Sequence, residues 1–159
     1  MLDHILVPLD RSSLAEAALP YAQQIVSLDG RITLLTVVDA AEGVDSAETV
    51  GPGLTALVSS PVTGLHDLRS QAEDYLDQVA YRVQKPHLEV NIIVQIGSPA
   101  DVIVDTANNL GVKVIVMSTH GRTGLGRWIY GSVTQKVLSA ATCPVFVIPS
   151  RVQHPEAEG

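Results

Sequence analysis

Five short apolar runs punctuate the chain: "HILVPL" (4–9), "RITLLTVV" (31–38), "LEVNIIVQ" (88–95), "VKVIVMS" (112–118) and "PVFVIP" (144–149). They are rich in Val, Ile and Leu, and several are nearly continuous in apolar residues. This is the pattern of strands buried on both faces of a parallel sheet rather than strands with one wet face.

Helical periodicity fills the intervals. The first helix is expected from about Ser12 to Leu28, with Ser13 and Glu16 spaced as a capping box and Pro20 bending it. The second, about 65–84, sets Leu65, Leu68, Ala72, Leu76, Val79 and Val83 on one face. The third opens with Ser98 as N-cap and Pro99 in its first turn, and stops before Gly111. The fourth begins near Gly131–Ser132 and ends before Cys143–Pro144. Strands alternating with helices specify an α/β domain with a mostly parallel sheet. Ligands of such sheets bind beyond the carboxyl ends of the strands, where the strand order reverses.

Residues 39–64 fit neither period. They hold four glycines, two prolines and scattered acids. A connection this long in a compact domain is a functional lid or a disordered segment, so a mobile loop beside the ligand crevice is expected, with room for a short helix around 53–58. The domain spans 1–150, and the tail 151–159 reads as frayed.

The 159 residues allow one domain with a sizeable core. At 46% hydrophobic and 17% charged the chain is globular. No run approaches the roughly 20 apolar residues of a membrane span. The start "MLDHILVPLD" does not read as a signal peptide. A single cysteine, Cys143, leaves no disulfide framework and no cysteine cluster for zinc. A cytoplasmic protein without a membrane partner is expected.

The net charge of −7 argues against nucleic acid. Its distribution says more. Residues 1–105 carry fifteen acids and five bases, whereas no Asp or Glu occurs between Thr106 and Pro155, a stretch holding Lys113, Arg122, Arg127, Lys136 and Arg151. In that stretch "MSTHGRTGLGRWIYGSVTQKV" (117–137) follows the fourth strand with four glycines. A phosphate needs converging N–H donors, and glycines let the backbone approach. Gly121 and Gly124 can form a concave turn. Gly131 and Ser132 open a helix whose first N–H groups are free, and Arg122 or Arg127 can add charge. The competing reading is a surface loop whose glycines satisfy turn geometry alone.

Two familiar phosphate motifs fail. No lysine follows these glycines as a phosphate loop requires, and "GRTGLG" reverses the dinucleotide fingerprint. A receiver domain is excluded because "VQIGSPAD" offers no phosphoacceptor aspartate after the third strand.

The segment "VIVMSTHGRTGLGRWIYGSVTQKVLSAATCPVFVIP" resembles the C-terminal signature of the universal stress protein family, whose ATP-binding members carry G-x2-G-x9-G-[ST]. Ser118, Gly121, Gly131 and Ser132 fall on those four places, with Ser118 replacing the first glycine. "ILVPLDRSSLAEAALPYA" and "LLTVVDA" resemble the family's opening elements. The resemblance implies a three-layer open sandwich like that of the adenine nucleotide alpha hydrolases, with a five-stranded parallel sheet ordered 3-2-1-4-5. It implies binding of ATP, or of AMP or ADP, with Mg²⁺ accompanying the nucleotide, in a stress-response sensor or regulator. It places Pro8, Leu9 and Asp10 in the adenosine pocket, and Val37, Met117 and Val133 along the base. It also implies a homodimer through the last strand, 144–148. A nucleotide-independent dimeric interaction module and a slow ATPase remain as alternatives; no catalytic residue is assigned.

From the residues themselves, Asp10 at the end of the first strand can accept from a ribose hydroxyl or an adenine amino group, or serve the following helix as a cap. His120 can donate to a phosphate or stabilise a turn. No second histidine lies near it for a metal site. Cys143, next to a proline, reads as a small buried hydrophobe.

Overall fold

β1 (His4–Pro8), β2 (Arg31–Val38), β3 (Glu89–Ile96), β4 (Val114–His120) and β5 (Val145–Ser150) form one parallel sheet in the order β3-β2-β1-β4-β5, as expected. The structure, a computed structural model, describes residues 2–39, 61–120 and 130–150. The expected short helix at 53–58, residues 40–60 of the expected loop, Gly121, Arg122 and the tail 151–159 lie outside the described residues.

The apolar runs become strands because both faces of the sheet are covered. Odd residues of β1 and even residues of β2 and β4 pack under α2 (Leu19–Ile25) and α3 (Pro61–Val83), in a core with Ile5, Val7, Ile32, Leu34, Val114 and Val116. The alternate residues, including Leu6, Leu35, Ile115 and Met117, pack under α4 (Pro99–Leu110) and α5 (Ser132–Ala140). Ile5, Leu6, Leu34, Leu35, Ile115 and Val116 are fully buried. Burial at this level contributes about 1.5–3 kcal/mol per large aliphatic side chain. The face expected for α3 is borne out, with Ala72, Leu76, Val79 and Val83 buried.

Two helix boundaries differ from expectation, both at prolines. The first helix is not continuous. It divides into α1 (Ser13–Glu16) and α2, with Pro20 in the first turn of α2. A proline at 20 has no N–H for the Glu16 carbonyl, so the ladder breaks there instead of bending. The cap also shifts by one residue. Ser12 is the N-cap and its Oγ accepts from Ala15 N at 3.1 Å, so Ser13–Glu16 is not a capping box. The second helix starts at Pro61, inside the 39–64 stretch expected to be loop. A first-turn N–H has no helical acceptor, so Pro61 costs nothing there, and Gly64 is tolerated in the helix.

α4 matches its reading, with Ser98 as N-cap, Pro99 in the first turn and Gly111 left-handed at φ 60 after the last turn. α5 begins after Gly131, also as expected.

Candidate functional site

Strand order reverses between β1 and β4, and there the sheet opens. The two strands pair at Ile5–Val114 and Leu6–Ile115, while β1 stays in register with β2 through Pro8–Leu35. Alternation along β1 explains the difference. His4 O accepts from Lys113 N on the β4 side, and Leu9 N donates to Leu35 O on the β2 side at 2.8 Å. Residue 8 therefore faces β4, and a proline there has no N–H to offer. The ladder stops, and the carboxyl ends of β1 and β4 part.

A crevice of about 320 Å³ fills the gap, at the small end of ligand-binding cavities. Pro8, Leu9 and Asp10 line one side, continued by Val37 at the end of β2. Met117 and Ser118 line it from β4. Gly131, Ser132 and Val133 close it at the start of α5. The nine described candidates from the sequence thus come together on one cavity. His120 ends β4, and its side chain lies outside the described residues.

Each wall has a local cause. Leu9 is pinned by its N–H to Leu35 and by the Thr36 hydroxyl, which donates to the Leu9 carbonyl at 3.0 Å. Asp10 is not itself the helix cap. Its Oδ1 accepts from Ser12 N at 3.0 Å and from the Ser12 hydroxyl, and Ser12 in turn caps α1. The carboxylate so held stays exposed at the crevice mouth. Arg11 between them sits at φ 68, a left-handed conformation costing a non-glycine residue about 1–2 kcal/mol. Strain of this kind clusters at binding sites.

The α5 end offers N–H donors to the crevice. The first N–H groups of a helix lack helical acceptors and carry the positive end of its dipole. Gly131 at φ −61 has no conformational need to be glycine, and among the described residues a Cβ there would meet no atom within 4 Å. Packing among the described residues does not explain the glycine.

Sequence reasoning missed several lining residues: Arg11, Thr36, Asp39, Pro99, Thr119 and Thr134. Most of them sit at the carboxyl end of a strand or in the first turn of a helix, which is the signal that would have found them. Asp39 immediately follows β2 and brings a second carboxylate to the wall that carries Asp10. No group of three or more His, Cys, Asp or Glu suited to a metal occurs among the described residues. Burial pushes the Cys143 thiol up from its ordinary value, in keeping with an inert side chain. No helix among the described residues is long and apolar enough to cross a membrane.

The universal stress protein family model matches residues 1–149. Universal stress protein MJ0577 of Methanocaldococcus jannaschii is 30% identical over 154 residues, covering 93% of this chain and 95% of that protein. The solved structure of MJ0577 superposes with a TM-score of 0.77 at 27% identity, over 96% of this chain and 99% of that one. UspA from Lactobacillus plantarum gives 0.67 at 27% identity, over 92% and 97%. A universal stress protein family protein from Arabidopsis thaliana, solved with AMP bound, shares the fold at a TM-score of 0.62 and 17% identity, over 98% and 96%. The chain belongs to the universal stress protein family.

Proposed function

We propose that the crevice binds ATP or a related adenine nucleotide, and that the protein acts as a stress-response sensor or regulator. One observation carries the reading: Asp10, Val37, Met117, Gly131 and Ser132, far apart in sequence, line a single crevice beside the amino end of α5. The AMP-bound Arabidopsis protein has the same fold, which supports the ligand class.

The residues divide by chemistry. Val37, Met117 and Val133 supply apolar surface for a base. Asp10 and Asp39 are the carboxylates able to accept from ribose hydroxyls. The N–H groups of the first turn of α5 and the Ser132 hydroxyl donate to phosphate oxygens. Gly121 and Arg122, which precede α5 in sequence and lie outside the described residues, are further phosphate candidates by the family resemblance alone. When bound with the nucleotide, Mg²⁺ would neutralise phosphate charge, arriving with the ligand and not through a cluster of protein side chains among the described residues.

Thermal unfolding with and without AMP and ATP tests the reading. A ligand that binds the native state alone stabilises it by about 2.7 kcal/mol at a hundredfold excess over Kd. No shift with either nucleotide at millimolar concentration refutes it.

A second reading, a dimeric interaction module, is favoured by the edge strand β5. Phe146 and Tyr21 are 45% and 44% exposed with ring centroids 6.4 Å apart, flanked by Pro149. The two readings are compatible, since this patch is lined by none of the crevice residues.

A further inference from the structure

β4 carries two adjacent polar residues, Ser118 and Thr119, near its carboxyl end, and strand alternation sends them to opposite faces of the sheet. On one face the Ser118 hydroxyl donates to the Leu14 carbonyl of α1, 104 residues away. On the other face Thr119 Oγ1 accepts the N–H of Gly131, the N-cap of α5, at 3.2 Å. α1, through Ala15, and the start of α5 are two walls of the crevice. One dipeptide ties both to the sheet.

The tie matters most for α1, which has little else to fix it, whereas α5 is also held by its buried Thr134 and Val137. α1 is four residues long and buries no side chain. Its backbone bonds are long, 3.3 Å from Glu16 N to Ser12 O and 3.2 Å from both Ala17 N to Leu14 O and Ala18 N to Ala15 O. So short a helix cannot hold itself in water. Its second anchor, Glu16 on Tyr75 and Arg82, lies at its far end. Gly131, having no side chain, makes no cap bond of its own, and Thr119 supplies the polar contact at that point.

We propose that Ser118 and Thr119 are positioning residues that set the separation of the α1 and α5 walls, and through it the grip on the phosphate-bearing end of the nucleotide. The ligand in this statement rests on the nucleotide reading above; the mechanical part does not. The Ser118 proton is committed to Leu14, so the serine acts on the ligand through α1. The Gly131 N–H is committed to Thr119, which leaves those of Ser132, Val133 and Thr134 as first-turn donors.

Three variants, Ser118→Ala, Ser118→Thr and Thr119→Val, test this by hydrogen exchange on the ligand-free protein and calorimetry with AMP. Ser118→Ala should speed exchange at Glu16, Ala17 and Ala18 roughly five- to tenfold, the worth of one net hydrogen bond, while the β-strand amides stay unchanged. Ser118→Thr, which keeps the hydroxyl, should restore both the protection and the AMP affinity. Ser118→Ala and Thr119→Val should each weaken AMP by a similar factor. Unchanged exchange at the three amides in Ser118→Ala overturns the tie. Faster exchange with undiminished AMP affinity overturns the positioning role. Absence of any AMP heat from the unmodified protein overturns the nucleotide reading instead, and the exchange data still decide whether Ser118 holds α1.

Discussion

Tyr75 and Glu16, 59 residues apart, join α3 to α1, the phenol O–H donating to Glu16 Oε1 at 3.0 Å. Arg82, two turns on from Tyr75, donates to Oε2 at 2.9 Å, so one carboxylate is held from both sides. Burial first, and the bond to Glu16 second, hold the Tyr75 phenol well above its ordinary titration range. A carboxylate that keeps Arg82 when the phenol is lost is not stranded, so the cost of losing the phenol stays near the net worth of one hydrogen bond. Tyr75→Phe is expected to destabilise the fold by about 1 kcal/mol, lowering Tm by about 2–4 °C for a domain of this size. Differential scanning calorimetry reads the shift, and an unchanged Tm refutes the role.

His4 makes stability depend on pH. Its ring shares a hydrogen bond with Thr33 Oγ1 at 2.9 Å and is partly buried at the amino end of the sheet. Burial, and then the Arg31 guanidinium, lower its pKa from 6.5, against the opposing pull of Asp3, Glu89 and the Leu110 backbone. The unfolded chain therefore binds the proton more readily than the folded one. Stability is full above the unfolded value, and falls as pH drops from about 6.5 toward the lowered folded pKa. His4→Gln should remove that component. Urea titrations at about pH 8 and about pH 5 should show the unmodified protein losing more stability on acidification than the variant. Equal losses refute it.

The fold was legible because its drivers are local. Near-continuous apolar runs need two covered faces, and Pro99 and Gly111 punctuate α4 at the positions each residue type favours. The two misreadings have different causes. At Pro20 a periodic pattern runs smoothly through a proline where the backbone ladder must restart. At Pro61 the first turn, with its proline and glycine, lacks the apolar period that marks the rest of α3. Candidate site residues were legible where their place at an element boundary marks them, as with Gly131 before α5 and Asp10 after β1. Ser118 and Thr119 were not legible in role, because their partners, Leu14 and Gly131, are chosen by the packing of α1 and α5 on opposite faces.

Edge strand β5 should carry a homodimer. Its other flank is paired to β4 from Val145 to Ser150, and among the described residues no strand pairs with its outer row of N–H and C=O groups. Phe146, half exposed against Tyr21, lends that edge apolar surface. Phe146→Asp should convert dimers to monomers in sedimentation at micromolar concentration without loss of Tm in the monomer. A monomeric unmodified protein defeats the expectation.

Gly131→Ala separates packing from ligand space. With φ at −61 and no atom of the described residues within 4 Å of the point a Cβ would occupy, the alanine should fold with Tm within about 2 °C of the unmodified protein. The methyl group would stand at the amino end of α5, where phosphate oxygens are expected. AMP affinity should fall at least tenfold by calorimetry. Retained affinity would move the phosphate away from this helix.

Nucleotide should be held here but turned over slowly. Donors from the first turn of α5 bind a phosphate in its ground state and its transition state alike, and uniform binding does not accelerate chemistry. Rapid hydrolysis also needs an oriented water and charge aimed at the departing phosphoryl group. Asp10, the carboxylate nearest the α1 turn, has its Oδ1 engaged by the Ser12 N–H and hydroxyl, which suits a structural anchor better than a base poised to take a proton. The Ser118 proton is likewise spent on Leu14, and the lysine that grips phosphates in the common phosphate loop has no counterpart after these glycines. A phosphate-release assay with ATP and Mg²⁺ should therefore report far less than one turnover per second while calorimetry reports binding. If release exceeds that rate and falls on replacing Asp10 with asparagine, the carboxylate is a base and the protein an ATPase.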